Sequence, residues 1–245
     1  MLALINILYL LLPITQTGTE IGANLIAGPS IERTKLESVG NQTYFYDESS
    51  LDFGGHYGVG IYLNHYFDRS LYLGLKANYR KSSTTFLEYE PELINIEGEA
   101  VEGEFEHYFK YTLEQMNFDL NLGYRLGQTF SLEGGLILGI PITDYTIHSK
   151  ETIVKPVDAG VFQEEGTRIR NELRFSTPSK NMKIGAMLGA TALFPMNKSE
   201  TVFLKPSINY NHFFSENVDI LTSWTTDYLD LSLGISMIIG NNEIF

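Results

Sequence analysis

Five histidines, His56, His65, His107, His148 and His212, are the side chains of this 245-residue chain best suited to proton transfer near neutral pH. A hydrolase of the serine type needs such a base bonded to a hydroxyl nucleophile and oriented by a carboxylate. His148, Ser149 and Glu151 form the tightest set of these types in the sequence. Triad partners normally come from different elements, so a solvated surface histidine is the plainer reading of His148, and His107 is the second candidate base. Between Glu88 and Glu106 stand eight glutamates, at 88, 90, 92, 97, 99, 102, 104 and 106. Carboxylates are good ligands for divalent cations, but the spacing lacks the Asp–Gly calcium pattern, and a self-repelling surface loop accounts for them. Arg168, Arg170 and Arg174 surround Glu172. Guanidinium groups there suit phosphate or the acidic stretch equally. With no cysteine in the chain, disulfides, thiolate metal sites and a thiol nucleophile are excluded. The glycines at 58, 60, 74, 123, 135, 139, 185 and 189 open no helix, so no phosphate-cradling loop is expected, and neither is any metal or other cofactor.

The elements that must position these groups are strands. Tyr57, Val59, Ile61 and Leu63 alternate with His56, Gly58, Gly60, Tyr62 and Asn64; after a short turn, Leu71, Leu73, Leu75, Ala77 and Tyr79 alternate with Tyr72, Gly74, Lys76, Asn78 and Arg80. Two period-two runs joined by a polar turn predict a hairpin. The pattern recurs over 115–140 and 182–211, and unpaired alternating runs stand near residues 21–28 and 229–239. About eight antiparallel strands result, and pairing of the first with the last closes a barrel. Short turns near Asp68, Gly127 and Asn197 contrast with long polar connections at 32–52, 81–106, 149–172 and 214–223. Aromatic content is 13%, carried by 15 Tyr and 15 Phe, and 22 glycines fit closely spaced strands. The formal net charge of −13 disfavours nucleic acid as a partner. Residues 1–19 open with the apolar run MLALINILYLLLP and read as a signal peptide or a retained N-terminal segment, leaving 20–245 as one barrel domain.

Alternation alone does not say which face meets water. The polar face is rich in Gly, Asn and Ser, and its charges have both signs: Lys76, Lys183 and Lys205 against Asp119, Glu133 and Asp230. Such a set suits a narrow lumen in which charges pair. Tyr57, Tyr79, Tyr124, Phe130, Phe194 and Tyr210 end the apolar runs, as aromatic girdles do at lipid headgroups. These features predict a transmembrane barrel with short periplasmic turns and long outer loops. The alternative is a soluble, lipocalin-like barrel whose interior, lined by Leu71, Leu73, Leu75, Leu120, Leu122 and Leu136, binds an apolar ligand.

On these hairpins the chain resembles the small bacterial outer-membrane β-barrels, the OmpA-like and PorT-like barrels, over nearly all of its length after residue 20. The resemblance implies residence in the outer membrane, contact with its lipid, and a C-terminal aromatic, here Phe245, read by the barrel-assembly machinery. It also implies a non-enzymatic barrel with a plugged interior and outer loops for adhesion or a protein partner. An outer-membrane enzyme acting on lipid or peptide is the further alternative.

Overall fold

The computed structural model describes residues 18–35, 50–179, 182–217 and 223–240. Eleven strands follow one another: β1 (Gly18–Lys35), β2 (Ser50–Tyr66), β3 (Leu71–Ile96), β4 (Glu99–Leu126), β5 (Phe130–Pro141), β6 (Tyr145–Lys155), β7 (Ile169–Thr177), β8 (Lys183–Ala192), β9 (Phe194–Pro195), β10 (Val202–Phe213) and β11 (Ser223–Gly240). Every pairing is antiparallel. β1 bonds to β2, β2 to β3, β3 to β4, β4 to β5, β5 to β8, β8 to β10, β10 to β11, and β11 back to β1. The expected eight-stranded up-and-down barrel is therefore closed, which satisfies the backbone donors and acceptors that an open sheet leaves at its edges.

Register follows from the two-faced pattern. Leu73 faces Leu122, Leu75 faces Leu120 and Ala77 faces Phe118 on one side, while Lys76 faces Asp119 and Asn78 faces Asn117 on the other. A slip of one residue would exchange the two sets, so the pattern itself selects the pairing. Asp68 ends the β2–β3 turn by accepting hydrogen bonds from the backbone of Ser70 (2.6 Å) and Leu71 (2.8 Å). Asn197 does the same before β10, for Thr201 (2.9 Å) and Val202 (3.1 Å). These short turns lie at one end of the barrel.

At the other end the strands do not stop where the sequence pattern suggested. β3 and β4 run for 26 and 28 residues, about 90 Å of chain at ~3.3 Å per residue. The stretch 81–106, expected as a loop, is nearly all strand and forms a long hairpin that turns at Glu97 and Gly98, both with positive φ; the stretch 149–172 is strand only at its two ends, in β6 and β7. Leu87, Tyr89 and Leu93 alternate there with Glu88, Glu90 and Glu92, so the acidic stretch carries a strand period beneath its charge. β6 pairs with the outer half of β4, and β7 pairs with β6. β3, β4, β6 and β7 thus build a four-stranded sheet that continues the barrel wall beyond its rim. Its inner face packs Phe86, Phe109, Tyr111, Leu113, Tyr145, Ile147 and Trp224 near the rim, and Ile94, Phe105, Ile153 and Phe162 farther out.

Candidate functional site

The inward residues of the ring fill the lumen in successive polar layers. Nearest the short turns, Glu20 accepts from Lys205 Nζ (2.7 Å), Asn64 Nδ2 (2.9 Å) and the Tyr66 hydroxyl (3.0 Å). Lys76 Nζ and Asn121 Nδ2 hold Glu133, at 2.5 and 2.8 Å. Midway, Asp230 joins Arg80 (2.6 Å), His56 (2.7 Å) and Asn211 (2.7 Å), and the Arg80 guanidinium lies 4.2 Å above the Tyr228 ring. Asn78 Nδ2 donates to Asp119 at 2.9 Å. At the outer rim the buried Glu32 accepts from Trp224 Nε1 (2.9 Å), Thr226 (2.5 Å) and Tyr111, beside Lys183, which donates to Tyr145 and Asn217 at 2.7 Å each. Glycines make room for the larger side chains: a Cβ on Gly123 would lie 2.0 Å from a Tyr72 ring carbon. The space left among Lys76, Asp119, Glu133, Lys205 and Asp230 is about 30 Å³, room for about two water molecules.

A second cluster crosses the inner face of the outer sheet. Glu88, His107 and Glu151 stand opposite one another on β3, β4 and β6, with Arg170 of β7 next in the row. His107 reaches Glu151 through Nδ1 (3.3 Å) and Glu90 through Nε2 (3.5 Å). Arg170 donates to Glu151 (2.5 Å) and to both carboxylate oxygens of Glu92 (3.1 and 2.8 Å), and stacks 3.9 Å from the Phe162 ring centre. Burial alone would raise the Glu151 carboxyl, but hydrogen bonds from His107 and Arg170 overcome it and hold the group down to about 2. For His107, burial works against the charged form, and the carboxylates of Glu151 and Glu90 win, raising it above its ordinary value. Glu88 is raised by burial and by its neighbour Glu90.

All six charges expected in the lumen, Lys76, Asp119, Glu133, Lys183, Lys205 and Asp230, are there, but only Lys76 and Glu133 pair with each other. The others use Glu20, Arg80, His56 and neutral partners, which share the inward parity but were not expected as their partners. His148, Ser149 and Glu151 do not assemble. Alternation sends His148 to the outer face, 3.2 Å from Glu172, while Ser149 and Glu151 point inward, Glu151 onto Arg170. Arg168 bonds to the carbonyls of Ile153, Pro156 and Val157, and Arg170 is tied to the acidic strands. Among the described residues no cluster of three or more His, Asp and Glu side chains is arranged to hold a metal ion. Phe245 and residues 1–17 lie outside the described residues.

The outward face of the ring is apolar along its middle, between polar groups at the ends such as the Lys81–Glu114 pair. Leu75, Leu120, Leu122 and Leu136 are about half exposed or more, which overturns the lipocalin-like alternative: the leucines meant to line its cavity are on the outside. Tyr57, Tyr79 and Tyr210 face outward toward the long end, and Tyr124, Phe130 and Phe194 toward the short turns. A barrel with its polar side inward and its apolar side outward has lipid for its solvent. This is the fold of a small outer-membrane β-barrel. The solved structures similar to the chain include three such proteins. The Yersinia pestis attachment invasion locus protein Ail shares 13% identity at TM-score 0.33, covering 92% of this chain and 100% of its own. For the outer membrane protein OprG of Pseudomonas aeruginosa the values are 11%, 0.40, 93% and 97%. For the outer membrane protease OmpT of Escherichia coli they are 12%, 0.39, 91% and 97%. No family model matches the chain, and no curated protein matches it.

Proposed function

We propose that the chain is a non-enzymatic, non-conducting protein of the bacterial outer membrane whose barrel is an anchor and whose outer sheet is the working surface. The filled lumen carries this reading: layered ion pairs leave a cavity of about 30 Å³, far below a solute channel. A strand crosses a bilayer in about 9–11 residues, so β3 and β4, at 26 and 28 residues, carry roughly 15 residues each beyond it. That length supports presentation of a rigid sheet to a protein partner or another cell surface. The separation of His148 from Ser149 and Glu151 argues against the one triad the sequence offered. Lipid then contacts the apolar belt, the six outward aromatics sit at the two headgroup layers, and Phe245 serves the assembly machinery.

Two measurements test the reading. Cell fractionation with and without boiling before gel electrophoresis is expected to place the protein in the outer membrane with a heat-dependent mobility shift. Planar bilayers containing the refolded protein are expected to show no stable conductance. A soluble protein without a mobility shift would overturn the anchor, and a stable large conductance would overturn the plug.

A further inference from the structure

Asp227 points outward from β11, yet its side chain is fully buried. Three groups from the two neighbouring strands, β1 and β10, cover it. Arg33 of β1 pairs with Oδ2, the Tyr210 hydroxyl donates to Oδ2 at 2.6 Å, and His212 Nδ1 meets Oδ1 at 2.6 Å. The covering groups themselves remain accessible, with Arg33 45% and His212 39% exposed. The cluster begins where the apolar belt ends: Arg33 follows Ile31, His212 follows Tyr210, and Asp227 precedes Leu229 along the outward face. The exposed Phe214 closes its outer side, its ring edge-on to His212 with 5.1 Å between centroids.

We propose that Arg33 and His212 form a site for the phosphate of an outer-leaflet lipid, with Asp227 as their positioning residue. This rests on the membrane reading above. The carboxylate is occluded, so the accessible part of the cluster is the Arg33 guanidinium and the His212 ring. Arg33 pairs with Asp227 through Nη1 and also bonds to the Tyr210 hydroxyl, and its half-exposed guanidinium has five N–H groups, more than these two contacts use, to offer a phosphate oxygen. His212 turns Nδ1 toward Asp227, which leaves Nε2 on the far side of the ring from that carboxylate. Headgroup depth brings lipid phosphates to the level of the Arg33 guanidinium.

The test uses the full-length protein refolded in nanodiscs of phosphatidylcholine, with diphosphorylated lipid A added as the probe and bound lipid counted by native mass spectrometry. Arg33→Gln/Asp227→Asn removes both charges of the pair, so no buried carboxylate is orphaned; Arg33→Lys keeps the charge and loses the fork. The double variant is expected to bind lipid A at least about tenfold more weakly than wild type, as loss of a charge-assisted pair entails, with Arg33→Lys in between. Equal binding by all three proteins would overturn the site. Displacement of lipid A by millimolar inorganic phosphate would overturn the lipid assignment in favour of free phosphate. A wild-type protein that fails to enter nanodiscs would instead refute the membrane reading on which the proposal stands.

Discussion

Glu151 is the residue whose replacement reads most directly on the outer sheet. It receives His107 from β4 and Arg170 from β7, so Glu151→Gln weakens the ties across three strands at once. The carboxyl is held from 4.5 down to about 2, a difference worth about 3 kcal/mol at ~1.4 kcal/mol per tenfold. Water reaches the cluster past Glu90 and Glu92, 41% and 34% exposed, and screening reduces this to roughly 1–2 kcal/mol. Because the folded value is depressed, the stabilisation is present above about 4.5 and is lost as pH falls toward 2. His107 has the opposite sign: raised in the fold, it contributes fully below its ordinary 6.5 and loses that contribution as pH climbs through its raised value. The two together stabilise the sheet most between about 4.5 and 6.5. Hydrogen–deuterium exchange of β6 and β7, corrected for intrinsic rates, measures the opening. At pH 6, Glu151→Gln is expected to open these strands roughly 5–30 times more often, with barrel amides unchanged and the difference vanishing near pH 2. Equal protection at pH 6, or a difference that grows on acidification, would refute the reasoning.

Three further outcomes follow from the barrel. Leu120→Arg puts a charge on the outward face, 48% exposed in the wild type, and is expected to cost about 2–4 kcal/mol at mid-bilayer; urea unfolding in lipid vesicles reads this, and an unchanged midpoint would contradict lipid contact. Lys76→Met leaves Glu133 without its cation in the lumen and is expected to cost about 3–5 kcal/mol, with Lys76→Met/Glu133→Leu recovering most of it; a double variant as unstable as the single one would argue that the pair is not the unit. Gly123→Val drives a branched side chain into the Tyr72 ring, 2.0 Å from the position of a Cβ, and is expected to lower stability by about 1–3 kcal/mol in the same titration.

Much of the barrel was legible because its two solvents impose the shortest possible period. Leu71 to Tyr79 alternate with Tyr72 to Arg80 without a break, and β3 pairs there with β2 and β4 in the register that keeps each set on its own side. The outer sheet was obscured by composition. Glutamate is depleted in strands, and the eight carboxylates between 88 and 106 read as a solvated loop, although Phe86, Glu88, Glu90, Glu92 and Ile94 share one face and Leu87, Tyr89 and Leu93 the other. What keeps those glutamates in a strand is tertiary: Arg170 lies 78 residues from Glu92 in sequence and binds it with two nitrogens. Local propensity contains no trace of such a partner.

The same distinction separates the two kinds of site. Parity alone marks a residue as inward, so Lys76, Asp119 and Asp230 were identifiable as lumen charges before any pairing was known. Parity does not choose partners. Asp230 joins Arg80, 150 positions away, because barrel closure brings β11 around to the lumen side of β3, and nothing near either residue encodes that meeting. Asp227 is the harder case, since its parity assigns it to the apolar face, where a carboxylate is costly. It is tolerated because β1 and β10, its neighbours on either side, deliver Arg33 and His212 onto it. An outward charge next to an apolar run is therefore a signal in its own right: the ring must supply a cation from an adjacent strand at that height, and the pair it makes fixes the outer boundary of the belt.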